Sequence, residues 1–254
     1  MPHEVVVLVS LGAHPASLRH RVADLDGRAL GIAQAQGRSV TALHAGPAAA
    51  AAALRPCLGM GADRLIVLDL PPGSDPLPAL AAWLKAADPA LVLAGDRAET
   101  GPGNGMVPFW LAERLGWGLV TALVGLDLLD GAARATQALA RGRRRIVEAA
   151  LPLIATVGRT APAAPLSAIG QALRGVVREQ PGQPVQPAES RHWTACPARA
   201  RPRPLLAPGA GPAAADGTAR REMIAPDPVA AADAILDLLE RESLIATTAP
   251  GRPA

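Results

Sequence analysis

The chain has 254 residues, half of them apolar and 19% charged, which excludes a wholly disordered polypeptide and supplies one large domain or two small ones. Aromatic residues are only 2%, with no Tyr and one Phe, so a stacking surface for single-stranded nucleic acid is weakly supported. The net charge of +3 rests almost wholly on arginine, since Lys85 is the single lysine, and no uncharged apolar run approaches the ~20 residues of a membrane span.

In chain order, residues 5–9 (Val-Val-Val-Leu-Val) form a short continuous apolar run, the mark of a strand covered on both faces. A helical stretch over 27–36 leads to a second strand at 40–44, which ends at Gly46-Pro47. A helix over 48–58 then leads to a third strand at 64–68, which ends at Asp69 and the turn Pro71-Pro72-Gly73. A helix over 78–87, with Leu80, Trp83 and Leu84 on one side, precedes a fourth strand at 90–94 that ends at Gly95. A glycine-rich loop opens a further helix over 107–115. Strands alternating with helices in this way predict βαβ units and a parallel sheet.

The pattern changes after Gly116. Apolar runs at 119–129, 134–140 and 144–151 are separated by turns at Asp130-Gly131 and Arg141-Gly142, which predicts antiparallel edge strands. Residues 153–157 read as one more inner strand. From 174 to 221, Pro, Arg, Gly and Ala dominate, which predicts an extended arm rather than a second core. A helix follows, with Asp227 as N-cap, Pro228 at the first position and Val229, Ala232, Ile235, Leu236 and Leu239 on one stripe. The fold class expected is α/β: a Rossmann-like parallel sheet with antiparallel edge strands, plus an extended C-terminal arm and helix. The expected division is a nucleotide-binding domain over 1–175 and an arm over 176–254 that packs on a partner subunit.

Motifs of bond chemistry are absent: there is no GxxxxGK[ST], GxSxG or HExxH. The histidines are scattered, and among them His44 alone ends a predicted strand. Cys57 and Cys196 have neither metal spacing nor a disulfide framework around them. No catalytic and no metal-ligating residues are assigned. The N-terminus runs from Met-Pro-His-Glu directly into the first strand, without the basic start of a secretory signal, so a cytoplasmic location is expected.

The informative residues lie at strand C-termini, where open parallel α/β sheets bind ligands. Leu8, Val9 and Ser10 end the first strand, His44, Ala45 and Gly46 the second, and Gly95 and Asp96 the fourth. The loop continues from Glu99 through Thr100, Gly101, Gly103, Asn104, Gly105 and Met106 into a helix start. Glycines allow close backbone approach, and the free N–H groups of a helix start suit a phosphate. These residues are the expected nucleotide contacts, although their GxGxG order differs from the GxGxxG of dinucleotide folds.

Three segments carry a family resemblance. Val40-Thr41-Ala42-Leu43-His44-Ala45-Gly46-Pro47 is similar to VTAVSxGP, Leu54-Arg55 through Gly59-Met60-Gly61-Ala62-Asp63-Arg64 to LRxALAMGADR, and Asp88 to Gly95 to PDLVLxG. These are patterns of the beta subunit of electron transfer flavoprotein. Residues 166–172 resemble its LPNIMKA more weakly. The resemblance covers about residues 4 to 175 and a terminal helix. It implies a non-catalytic half of a heterodimer whose alpha subunit holds the redox-active FAD. It also implies a structural AMP in this chain, or a second FAD in electron-bifurcating members. The electrons would come from a flavoprotein dehydrogenase that docks on a loop of this subunit and go to a membrane quinone oxidoreductase. The C-terminal arm would wrap over the alpha subunit.

This sequence departs from the family in a shortened nucleotide loop at 99–105, which favours AMP over a dinucleotide, and in an arginine-rich hairpin tip at 141–145 where the family is acidic. That tip is expected to serve docking or solubility and not to bind nucleic acid. The alternatives are an adenine-nucleotide hydrolase or ligase on a related fold, or a stand-alone nucleotide-sensing module. Ser10-Leu11-Gly12-Ala13-His14-Pro15 is not the SGGxDS-like loop that the first of these needs, and the long arm argues against an isolated domain.

Overall fold

The computed structural model describes residues 4–100, 105–182, 227–242 and 244. The first unit, within residues 1–193, opens with β1 (Val5–Leu8), a hairpin of β2 (Leu11–Ala13) and β3 (His20–Val22), and helix α1 (Asp24–Gln34). Strand β4 (Val40–Gly46) follows, then a 3-10 turn at Ala48–Ala50 and the short helices α2 (Ala51–Leu54) and α3 (Pro56–Gly59). Next come β5 (Arg64–Asp69), α4 (Leu77–Ala87), β6 (Leu91–Gly95), α5 (Val107–Leu115), β7 (Gly118–Leu128), β8 (Ala132–Ala138), β9 (Arg144–Ala150) and β10 (Leu153–Val157). Helix α6 (Ile169–Arg174) and strand β11 (Val176–Pro181) close the unit.

Nine strands form one sheet in the order β11-β5-β4-β1-β6-β10-β7-β8-β9. The pairings from β11 to β7 are parallel, and β8 and β9 are antiparallel. The chain therefore runs outward from β1 through β4 to β5, then restarts on the other side at β6. This reversal between β1 and β6 is the topological switch point. The α/β expectation holds, including the antiparallel edge and the insertion of β10 as an inner strand.

Both faces of the parallel part are covered. Val5, Val7 and Val9 pack with Leu30 of α1 and with Leu54, Cys57 and Leu58 of the α2–α3 segment. Val6 and Leu8 face the other way and pack with Leu80 and Leu84 of α4 and Leu111 of α5. A strand buried on both faces has no polar alternation, which is why these strands read as unbroken apolar runs.

Four elements differ from the sequence expectation. The single helix expected over 48–58 is three pieces, a 3-10 turn and two short α-helices, the latter two parted at Arg55 because Pro56 has no N–H to return to the preceding turn. The hairpin β2–β3 was not foreseen, nor was α6. Strand β11 pairs with β5 along its whole length, from Val176↔Arg64 to Pro181↔Asp69, so the sheet continues past residue 175. Most of the expected arm lies outside the described residues.

Two side-chain connections fix distant parts of the fold. The Gln36 amide donates to the carbonyls of Ile32 and Leu126 at 3.1 and 2.9 Å and accepts the N–H of Leu128 at 3.2 Å, beyond the point where β10 stops pairing with β7 at Leu123. Arg28 donates to Asp24 at 2.9 Å and to the Ala161 carbonyl at 2.7 Å, tying α1 to the segment before α6.

The second unit, within residues 194–254, contains α7 (Pro228–Arg241). The side chain of Asp227 accepts the N–H of Ala230 at 3.3 Å, as expected of its N-cap. Val229, Ile235, Leu236 and Leu238 on this helix are exposed.

Candidate functional site

The ends of β1 and β6 part at the switch point, and one carboxylate spans them. Asp26, in the first turn of α1, accepts the Ser10 N–H at 2.7 Å and the Ser10 hydroxyl at 2.6 Å through one oxygen. Its other oxygen accepts the Gly95 N–H at 3.0 Å. Gly95 is glycine for a steric reason, because a Cβ there would lie 2.6 Å from that same oxygen. Burial pushes the Asp26 carboxyl up to about 6, against the opposing effect of the hydrogen bonds from Ser10 and Gly95.

A second carboxylate closes the same corner. Glu99 accepts the Asp24 N–H at 2.8 Å, the Ala13 N–H at 3.2 Å and the Arg21 guanidinium at 3.1 Å. It thereby joins the loop after β6 to the β2–β3 hairpin and to the start of α1. The N-cap of α1 is Ala23, which brings no side-chain acceptor, so Glu99 satisfies an otherwise orphaned helix N–H. A Cβ on Gly12 would collide with this carboxylate.

His44 stands at the end of β4. Its Nδ1 lies 2.8 Å from the Val9 carbonyl, which can only accept, so Nδ1 carries the proton. Burial lowers its pKa, outweighing the Val9 carbonyl. The neutral ring leaves Nε2 as a buried acceptor with no partner in the structure. Gly46 makes room for it, since a Cβ there would approach Nε2 to 2.7 Å.

The expected contacts thus come together in part. Leu8, Val9 and Ser10 adjoin His44 through the Val9 carbonyl and adjoin Gly95 through Asp26. Ala45 and Gly46 continue β4, and the Gly46 carbonyl accepts the Leu70 N–H at 3.1 Å. Asp96 is exposed beside Gly158, at the end of β10. The Thr100 hydroxyl donates to the Leu11 carbonyl at 2.9 Å. Gly105 has φ +69°, and a Cβ on it would strike the Asp96 carbonyl. Met106 is the N-cap of α5. Gly101, Gly103 and Asn104 lie outside the described residues.

Two of these donors, the Ser10 hydroxyl and the Gly95 N–H, are already committed to Asp26. Asp26 is not among the residues the sequence points to, because the expected helix begins at Gly27, three residues after its observed start at Asp24. The signal was present in Asp24-Leu25-Asp26, two acids at a helix start directly after the first strand and its loop.

The starts of α1 and α5 differ in charge. The first turn of α1 carries Asp24 and Asp26, and Glu99 covers its leading N–H. The first turn of α5 carries no acid. These carboxylates disfavour a phosphate at α1, and none stands in the first turn of α5. The unfilled His44 acceptor suits a hydroxyl or amine of a ribose or adenine. Among the described residues no cluster of His, Cys, Asp and Glu could hold a metal ion.

Comparison with known proteins bears on this geometry. A family model described as "Electron transfer flavoprotein domain" matches residues 8–183. An electron transfer flavoprotein subunit beta from Chromohalobacter salexigens is 42% identical over 255 residues, covering 95% of this chain and 96% of that protein. Another from Syntrophomonas wolfei subsp. wolfei is 32% identical over 120 residues, 46% of this chain and 47% of that one. An α/β sheet of this topology, matched over nearly its full length by a beta subunit, places this chain in the electron transfer flavoprotein family, in its beta-subunit branch.

Proposed function

We propose that this electron-transfer subunit binds one AMP at the switch-point crevice and, through it, supports the FAD of an alpha subunit. The observation that carries the reading is the unpartnered His44 Nε2 beside the β1 end, a buried acceptor that a nucleotide donor completes. An unmet buried acceptor costs roughly 1–3 kcal/mol, so a bound donor stabilises the fold as well as the complex. The flavin supplies the redox chemistry when bound to the heterodimer; this chain holds the structural nucleotide and presents surfaces.

The test is the nucleotide content of the purified heterodimer. Acid release and chromatography are expected to yield one AMP and one FAD per heterodimer. Two FAD would overturn AMP in favour of a second flavin, and no nucleotide beyond the alpha subunit's FAD would remove the site.

Electrons enter from a flavoprotein dehydrogenase and leave to a membrane quinone oxidoreductase, in the cytoplasm. A docking face for the dehydrogenase is supported by Leu166, Ile169 and Leu173, which are 95%, 75% and 68% exposed on one short segment. The partner's membrane location needs no span here, and no described helix is long and apolar enough to cross a bilayer.

A further inference from the structure

The segment around α6 turns its large apolar side chains outward and its small one inward. Leu166, Ile169 and Leu173 are exposed, while Ala172 is buried. Little burial is therefore available to order this segment, and its backbone must be held by hydrogen bonds instead.

Those bonds converge on the α2–α3 turn. At one end of α6 the Ala168 N–H donates to the Gly59 carbonyl at 3.0 Å, and the Ser167 hydroxyl donates to the Pro56 carbonyl at 2.8 Å. The contact is close, since a Cβ on Gly59 would fall 2.3 Å from the Ser167 hydroxyl. At the other end Arg55 donates through Nη1 to the carbonyls of Ala172 and Leu173, both at 3.0 Å. The last carbonyls of a helix have no intrahelical partner and carry its negative pole. A guanidinium satisfies both needs, and charge-assisted bonds of this kind are stronger than neutral ones.

We propose that Arg55 is a positioning residue for electron entry: it fixes the C-terminal end of α6 so that Leu166, Ile169 and Leu173 stand as one preformed ridge for the dehydrogenase. The proposal rests on the docking reading given above. The partner surface it fits is an apolar recess with an acidic rim, because the only charged residues between Glu148 and Glu179 are Arg159, Arg174 and Arg178, all exposed. Preforming the ridge spares the complex the entropy of ordering it on contact.

The experiment compares Arg55→Met, Arg55→Lys and Leu166→Asp in the full heterodimer. The probe is a purified flavoprotein dehydrogenase selected because it reduces the flavin of the wild-type heterodimer. Dithionite, which needs no docking face, is the control donor. Arg55→Met is expected to raise KM for the heterodimer by about fivefold or more with kcat little changed. The flavin spectrum and dithionite reduction stay as in wild type, and Arg55→Lys restores part of the loss. Leu166→Asp is expected to raise KM by about tenfold or more. If Leu166→Asp raises KM and Arg55→Met does not, the role of Arg55 is overturned while the docking face stands. If Leu166→Asp leaves KM unchanged, the docking face itself is overturned. Should Arg55→Met fail to fold, Arg55→Lys decides, since loss of the planar two-carbonyl contact still predicts a raised KM and an unchanged KM refutes it.

Discussion

Asp26 accepts the backbone N–H of Gly95 at 3.0 Å across 69 residues of sequence, and so joins the first helix to the strand on the far side of the switch point. The same carboxylate holds Ser10, so one side chain sets the spacing of both strand ends.

Gly95→Ala tests that spacing. The added methyl would lie 2.6 Å from the Asp26 oxygen and 2.9 Å from Leu25 Cβ, and neither can retreat from a packed helix start. The expected cost is about 1–3 kcal/mol of stability in urea unfolding, with lower nucleotide content in the purified heterodimer. An alanine variant as stable as wild type would show that the Asp26 bridge is slack.

Asp26→Asn tests the buried charge. The folded carboxyl titrates at about 6 against an ordinary value of 3.8, so between these limits the folded chain binds more protons than the unfolded one. Stability from this group is therefore greatest at the acidic end and falls as pH rises towards 6. Melting temperatures measured from pH 4 to 8 should show that downward contribution in wild type and its absence in the asparagine variant. Parallel profiles in the two proteins would contradict the raised value.

The arginine-rich hairpin tip divides into two kinds of residue. Arg145 donates to the Gln137 side chain at 2.6 and 3.1 Å, and Gln137 is buried and donates in turn to Thr121 at 3.0 Å, whereas Arg143 is exposed with no side-chain partner among the described residues. Arg145→Ser should cost about 1–3 kcal/mol by stranding the Gln137 oxygen, whereas Arg143→Ser should cost almost nothing. If the tip also steers a partner, changing Arg141, Arg143 and Arg144 together slows electron transfer at low salt and leaves it unaltered at high salt. Equal rates at both salt levels leave solubility as its role.

Helix α7 carries exposed Val229, Ile235, Leu236 and Leu238 on a chain segment with its own N-cap. Packing against the alpha subunit would cover them. Ile235→Asp with Leu236→Asp should weaken subunit association by about tenfold or more in sedimentation or calorimetry, without altering the unfolding of the first unit. An unchanged dissociation constant would refute that packing.

The parallel strands were legible because burial on both faces leaves only apolar residues, as at Val5 to Leu8 and Leu153 to Val157. The start of α5 was legible from a glycine-rich loop followed by Val107-Pro108. The hairpin β2–β3 was not, since each arm is three residues long and only Gly12 and Val22 in it are buried. Strand β11 was hidden by a Pro- and Arg-rich context, and it is strand-like through its pairing with β5 rather than through alternation. Within the site, the backbone positions could be read from strand ends, but the polar wiring could not. Asp26 and Glu99 find their partners 16 to 86 residues away, a separation at which local pattern carries no information.

Gln36 stands directly before Gly37, and its amide takes the place of a missing strand beside Leu126 and Leu128. Gly37 has φ +62°, and its N–H donates to the Gln34 carbonyl at 3.1 Å. Hydrolysis of that amide to a carboxylate would turn its donor into a second acceptor facing the Leu126 carbonyl. The distal half of the β7–β8 hairpin would then lose its tie to α1 without any change in the encoded sequence.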